Sequence, residues 1–321
     1  MRGPVLTAVG IAAGLGVGGM AARRVLGRPD QFYARGDQPG VTLEAGDRRL
    51  HLPITYHRTE QVISVHPAAC EPVLATLPAG VLHPVRLPDG RALLAISAAR
   101  YLEGTAPETD PRELLYGEVM VAVLVTRQPS RPLVPLVRAM LPWRAAPTSG
   151  AFLLHVAMSD RSSRDGGRAL GFPAFVGDLA FEDDILERRV SLSDERGAIL
   201  QSRVASRGRI SLDRTPMTTY SVRDGELLEV VCPCSGAVQQ CLGPGAGRLD
   251  LGDHPVADAI RALEPASEAL LSRSYLNLRM RITPPRTVAS VSASMGYSGG
   301  DRPQGAYTVR YPDGSVVDMS A

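Results

Sequence analysis

The chain has 321 residues, 44% hydrophobic and 21% charged, enough for one large globular domain or two ordinary ones with a sizeable core. The formal charge is +2; setting aside residues 1–30, which carry four arginines and one aspartate, leaves 31 basic against 32 acidic side chains and no electrostatic footprint for nucleic acid. All 35 basic residues are arginine, so the only primary amine is the α-amino group of Met1, and chemistry that needs a side-chain amine is excluded.

Residues 4–22 contain no charge, close to the ~20 residues that cross a bilayer as a helix. Gly10, Gly14 and Gly18 put a smooth stripe on one side of such a helix. Arg23, Arg24 and Arg28 follow it, which by the positive-inside rule keeps the body cytoplasmic. We read residues 1–28 as an N-terminal hydrophobic anchor on a membrane-associated protein, with a cleaved signal peptide or a soluble tail as alternatives. Gly14-x-Gly16-x-x-Gly19 matches the dinucleotide fingerprint in letters only, because no strand, helix and later acidic residue surround it.

The body, residues 29–290, opens with a polar, turn-rich stretch to about residue 47. At 48–56 Leu50, Leu52, Ile54 and Tyr56 alternate with other residues, the period of a half-buried strand. A short helix is expected over 68–77. Further strands are expected at 92–98, 119–125, 152–158, 189–192, 198–205, 227–232 and 275–282. The last alternates most cleanly, with Leu276, Leu278, Met280 and Ile282 on one side. Helices are expected at 135–141 and at 255–263, the latter with Asp253 as N-cap. The 26 prolines and 32 glycines are scattered, which favours strands and turns over long helices. The fold class is therefore mainly β, a barrel or sandwich with a few helices. Residues 291–321 form a Ser/Gly-rich tail ending in a hairpin over 308–319, turned at Pro312-Asp313-Gly314.

Several motifs carry little chemistry. Gly296-Tyr297-Ser298-Gly299-Gly300 fits the nucleophile elbow of serine hydrolases, but Asp301-Arg302-Pro303 follows where a helix is required. Cys232-Pro233-Cys234 with Cys241 lacks the spacer that lets two thiolates hold one zinc, so buried small apolar residues are the better reading. The six histidines form no i, i+3 or i, i+4 pair, and no metal or cofactor is expected. Four cysteines are too few for a disulfide framework and point to a reducing compartment. Glu118, at the start of an apolar strand, is the candidate acid or base, since burial there raises a carboxyl pKa. Arg49, at the start of the first strand, is the candidate cation.

Taken in chain order, RRLHLPITYHRTE (48–60) with LATLPAGVLHP (74–84), YGEVMVAVLV (116–125), GGRALGFPAFVGD (166–178), LDLGDHPVADAIRALE (249–264) and YLNLRMRITPPRTV (275–288) resemble the acetoacetate decarboxylase family. The resemblance implies a closed, cone-shaped antiparallel β-barrel with a few peripheral helices and a buried apolar pocket. It places Arg49 at the arginine that orients the substrate carboxylate and Glu118 at one of two pocket glutamates. The second glutamate falls near Leu94-Ala95 and is missing. In the family two adjacent lysines follow the Gly-Phe-Pro turn, one forming a Schiff base and its cationic neighbour lowering its pKa. Here Ala174 and Phe175 stand there, and the stretch before the proline is one residue short.

The family reaction by its family mechanism is thus excluded by composition. The expected function is binding of a small or lipid-like carboxylic or keto acid, with Arg49 gripping the carboxylate, Glu118 across from it, Phe172 and Ala174 on the wall, and Phe175 filling the space of the lost amine. Two alternatives are a lyase or hydratase using Glu118 as acid/base, and a membrane-anchored scaffold. A homo-oligomer is also expected.

Overall fold

The computed structural model describes residues 40–45, 48–129, 149–208, 210–291, 296–297, 308–310 and 316–318. The strands begin with β1 (Val41–Ala45), β2 (Arg48–Leu52), β3 (Ile54–Ala68), β4 (His83–Pro84), β5 (Ala92–Thr105), β6 (Gly117–Thr126) and β7 (Ser149–Met158). They continue with β8 (Ala174–Val176), β9 (Asp178–Asp183), β10 (Glu187–Asp194), β11 (Gly197–Ala205), β12 (Ile210–Asp213), β13 (Met217–Arg223) and β14 (Glu226–Cys232). The last are β15 (Cys234–Leu242), β16 (Gly247–Leu251), β17 (Leu271–Ile282), β18 (Arg286–Ser290), β19 (Gly296–Tyr297), β20 (Thr308–Arg310) and β21 (Val316–Asp318). Among the described residues three short helices interrupt them, α1 (Cys70–Ala75), α2 (Arg161–Ala169) and α3 (Pro255–Arg261).

Among the described residues the main sheet has 15 strands, ordered β12-β15-β17-β3-β5-β6-β7-β13-β19-β20-β21, with β4, β8, β14 and β18 paired beside that path. Among the described residues this order does not return to its start, so the closed barrel expected above is seen as an open sheet. The sheet is nevertheless curled. Val238 and Tyr275 from one end share an apolar cluster with Leu153, Val156 and Val230 from the other, which a flat sheet of this width forbids. The opposite face packs on a four-stranded sheet, β16-β11-β10-β9, and on α1 and α3 through Val190, Leu192, Leu249, Val73 and Ile260.

Strand β6 shows why the sequence folds this way. Val119, Val121, Val123 and Val125 face the four-stranded sheet, while Glu118, Met120, Ala122 and Leu124 face the curled interior, so both faces of a nearly unbroken apolar run are used. Pro53, with no N–H to donate, separates β2 from β3.

Three expectations shift. In β17 a bulge between Tyr275 and Leu278 breaks the alternation, so Leu276 is 49% exposed while Tyr275 and Leu278 are buried. His254 rather than Asp253 caps α3, its Nδ1 accepting from Val256 N–H at 3.2 Å. Residues 161–169, outside the helices expected above, form α2. The helix expected at 135–141, Ser298 and residues 4–22 lie outside the described residues. Among the described residues no helix is long and apolar enough to cross a membrane. The tail hairpin pairs Thr308–Arg310 with Val316–Asp318, and Tyr297 extends the main sheet beside Arg223.

Candidate functional site

The Gly-Phe-Pro turn is built by the end of α2. Asp160 starts this helix by accepting from Ser163 N–H at 2.8 Å. At the other end Gly171 N–H donates to Arg168 O and Phe172 N–H to Gly167 O, both at 2.9 Å, the paired bonds of a Schellman stop. That stop needs the left-handed backbone of Gly171, whose φ is +87°, and a Cβ there would stand 2.3 Å from Leu228 Cδ1. Pro173 then leads into β8, whose first carbonyl, on Ala174, accepts from Arg168 Nε at 2.9 Å. This arginine serves the turn rather than a ligand.

Beside this turn lies a cleft of about 610 Å³ including its solvent-open mouth. Its walls come from β2, β3, the 3-10 turn Pro111–Leu114 and α2. Arg49 stands at its edge, 70% exposed, 3.7 Å from Glu44 in an ion pair on the surface. Such an exposed pair is worth little and yields readily to a competing anion. Tyr56 and Tyr116 carry hydroxyls on the wall, the Tyr56 hydroxyl donating to that of Tyr116 at 3.4 Å. Ser162 and Ser163 add polar groups from the first turn of α2, and Glu113 a carboxylate. Leu50, Ile54, Leu114, Met158, Leu170 and Phe172 supply apolar surface.

Glu118 lies behind this wall. It is 3% exposed and accepts from the Tyr101 hydroxyl at 3.1 Å. The Tyr101 ring packs 4.3 Å from that of Tyr56 and 4.5 Å from that of Tyr116, centroid to centroid. Burial raises the Glu118 carboxyl to about 7, against a smaller lowering by the Tyr101 bond. The Cys232 thiol is pushed up to about 12 by burial and by the Glu118 charge, so it is no nucleophile. Burial likewise holds the Tyr101 and Tyr116 hydroxyls well above the usual tyrosine range, so both remain proton donors.

The expected site residues therefore separate. Arg49 and Phe172 line the cleft together. Ala174 is fully buried in the same apolar cluster as Phe172, one layer back, and Glu118 is screened by tyrosines instead of facing Arg49 across open space. Phe175 does not fill the cleft. Neighbouring strand residues point to opposite faces, and Phe175 packs in the other cluster with Val190 and Leu192. Met158 lines the cleft, and its Cε and the Ala174 Cβ both crowd the position where Gly167 would carry a side chain. Sequence reasoning passed over Tyr101 and Tyr116, although Tyr116 precedes Gly117-Glu118 directly. Among the described residues no group of three His, Cys, Asp or Glu is placed to hold a metal.

No protein-family model and no curated protein matches the sequence. Solved structures do match in fold. An acetoacetate decarboxylase from Legionella pneumophila superposes with a TM-score of 0.55 at 15% identity, covering 81% of this chain and 95% of that one. A second acetoacetate decarboxylase gives 0.54 at 15% identity over 74% and 90%. The enduracididine biosynthesis enzyme MppR complexed with pyruvate gives 0.51 at 14% identity over 74% and 91%. The chain has the fold of acetoacetate decarboxylase.

Proposed function

We propose that this chain is a divergent, lysine-free relative of the acetoacetate decarboxylases that binds a small carboxylic or keto acid in the cleft at Arg49 and performs no imine chemistry. In this reading the curled main sheet corresponds to the closed cone of that fold. The observation that carries the proposal is the arrangement of one weakly held arginine and two tyrosines on a single cleft whose walls are mainly apolar. The guanidinium offers a bidentate grip on a carboxylate once it leaves Glu44. The Tyr116 hydroxyl, which accepts from Tyr56, keeps its own proton to donate to a keto oxygen. Apolar walls around them suit a short aliphatic body.

Pyruvate, held by the structurally similar MppR, is the first probe. Calorimetric titration of the full chain with pyruvate and acetoacetate is expected to show binding that Arg49→Met weakens at least tenfold. Equal binding by the variant removes Arg49 from the site, and no binding by the unmodified protein removes the proposal.

A second reading, an acid/base enzyme, rests on the Glu118 carboxyl raised to about 7, a value suited to proton transfer at neutral pH. It requires turnover of a keto or hydroxy acid that Glu118→Gln abolishes while pyruvate binding persists.

A further inference from the structure

The four-stranded sheet covers only part of the outer face of the main sheet. One end of it is marked by Ser206, just after β11, whose hydroxyl lies 3.0 Å from Gln239 Oε1 of β15 and 3.3 Å from Ser274 Oγ of β17. Beyond this line the same face of β17, β15 and β12 carries exposed apolar side chains. Ile210 and Leu212 stand opposite Gln239 and Ala237, and Ala237 stands opposite Asn277, the neighbour of Leu276. Ile210, Leu212, Ala237 and Leu276 are all exposed. Their direction follows from the pleat, because Asp213 and Tyr275, one residue on from Leu212 and one before Leu276, bond each other in the interior at 2.7 Å.

The tip of the β9–β10 hairpin stands over the boundary. Leu186 O accepts from Ser206 N–H at 2.8 Å, and Arg100 of β5 pairs with both Asp183, at the end of β9, and Glu60 of β3. Asp184 N–H donates to Glu187 O at 2.8 Å, which leaves Ile185 and Leu186 as a two-residue loop, 87% and 61% exposed. Gly, Asn and Asp ordinarily fill such loops. The β13–β14 hairpin follows that rule, with Asp224 and Gly225 both at positive φ. Nothing in the geometry of the β9–β10 loop calls for aliphatic side chains, and at these exposures they contribute little packing to their own chain.

The charges around this apolar shelf run in one direction along β17. At the tip, Glu182, Asp183, Asp184 and Glu187 outnumber Arg188 and Arg189. At the other end Arg279 and Arg281 follow on the outer face of β17, beside Arg58 of β3, whose neighbour Thr59 pairs with Leu278; Glu103 stands opposite Arg58. At ~3.3 Å per residue, Arg279 lies about 16 Å along the strand from Ser274 under the tip. A surface ordered acid, apolar, base is complementary to itself after a two-fold rotation, because the acidic tip of one copy then meets the basic end of the other and the apolar middles meet each other. At roughly 200 Å² for a fully exposed Leu or Ile, the exposures of Ile185, Leu186, Ile210, Leu212 and Leu276 amount to about 600 Å² per copy, most of the ~800 Å² that one partner gives a standard interface.

We propose that this shelf is the interface of a homodimer, closed by a two-fold axis near Leu276, in which Ile185 and Leu186 of each copy pack on the uncovered outer face of the other and Asp184 lies over Arg279 of its partner. A lipid surface fits this face less well, since anionic headgroups repel the acidic tip that projects from it.

The test is sedimentation velocity of the full chain at micromolar concentration, in one non-ionic detergent throughout. The unmodified chain is expected to sediment as a dimer. Ile185→Asn is expected to raise the dimer dissociation constant at least tenfold while far-ultraviolet circular dichroism shows the fold intact. Asp184→Arg and Arg279→Glu are each expected to do the same, since like charges then meet at both ends of the interface. An equimolar mixture of these two variants is expected to recover dimers, because acid meets base again at both ends of the mixed pair. Should Arg279→Glu fail to fold, Arg58→Glu replaces it. A monomeric unmodified chain, a dimer that Ile185→Asn or the charge reversals leave unchanged, or no recovery on mixing overturns the proposal. Pyruvate binding at the Arg49 cleft has no bearing on it, so cleft and interface stand or fall separately.

Discussion

Replacing Glu118 with glutamine should make the protein more stable at alkaline pH and almost unchanged at mildly acid pH. The folded carboxyl is held at about 7 against an ordinary 4.5, chiefly by burial. The native state therefore binds more protons than the unfolded chain between these two values, and stability falls as pH rises through them. Below about 4.5 the group is protonated in both states and the stabilisation of the neutral acid is fully present; above about 7 it has been lost. At ~1.4 kcal/mol per decade of proton affinity, the loss is about 3 kcal/mol.

Glutamine keeps the oxygen that accepts from Tyr101 and is neutral at every pH, so its stability carries none of this slope. Urea unfolding of both proteins from pH 4.5 to 8.5 should give curves that nearly meet at the acid end and separate by about 3 kcal/mol at the alkaline end, on the order of 5–10 °C in Tm. The difference curve is the informative quantity. His66 and His155 are pushed down to about 4 and about 3 by burial, so they oppose Glu118 by losing stability as pH falls below 6.5. Both proteins share that contribution, and it cancels. Parallel curves, or a variant less stable at pH 8.5, would refute the picture of a desolvated carboxyl behind the tyrosines.

Tyr101→Phe removes the bond that lowers the Glu118 pKa, so its carboxyl should titrate above the value in the unmodified protein, seen by carboxyl-carbon NMR; a downward move contradicts the geometry. Gly171→Ala must place a Cβ on left-handed backbone and against Leu228, and should destabilise by about 2–4 kcal/mol in urea unfolding, where a neutral result would mean the turn is built differently. Borohydride reduction in the presence of acetylacetone should leave every peptide beyond Met1 unlabelled by mass spectrometry; an adduct in the body would overturn the exclusion of imine chemistry.

Much of the scaffold was legible because it is local. The alternation of Leu50, Leu52, Ile54 and Tyr56, the apolar run after Glu118 and the Pro255 start of α3 all reflect residues reading their nearest neighbours, and strands and a helix form there. Helix α2 was not legible. RSSRDGGRA is polar with two glycines, a poor helix by propensity, and it is held by the Asp160 cap, by the Gly171 stop and by burial of Gly167 against Met158 and Ala174. The direction of Phe175 could not be read either, because β8 is only three residues long and its parity is set by pairing with β7.

Composition alone removed the imine mechanism, since no fold can supply an amine that the chain lacks; strand position and the family resemblance pointed to Arg49 and Glu118. Only the tertiary structure decided how they relate. The rings that screen Glu118 come from residues 56, 101 and 116, brought together by the register of β3 against β5 and by the return of the chain into β6. The curl of the main sheet, which no short segment encodes, and the packing of β2 and α2 beside it bring Tyr56 of β3 and Arg49 of β2 to one cleft.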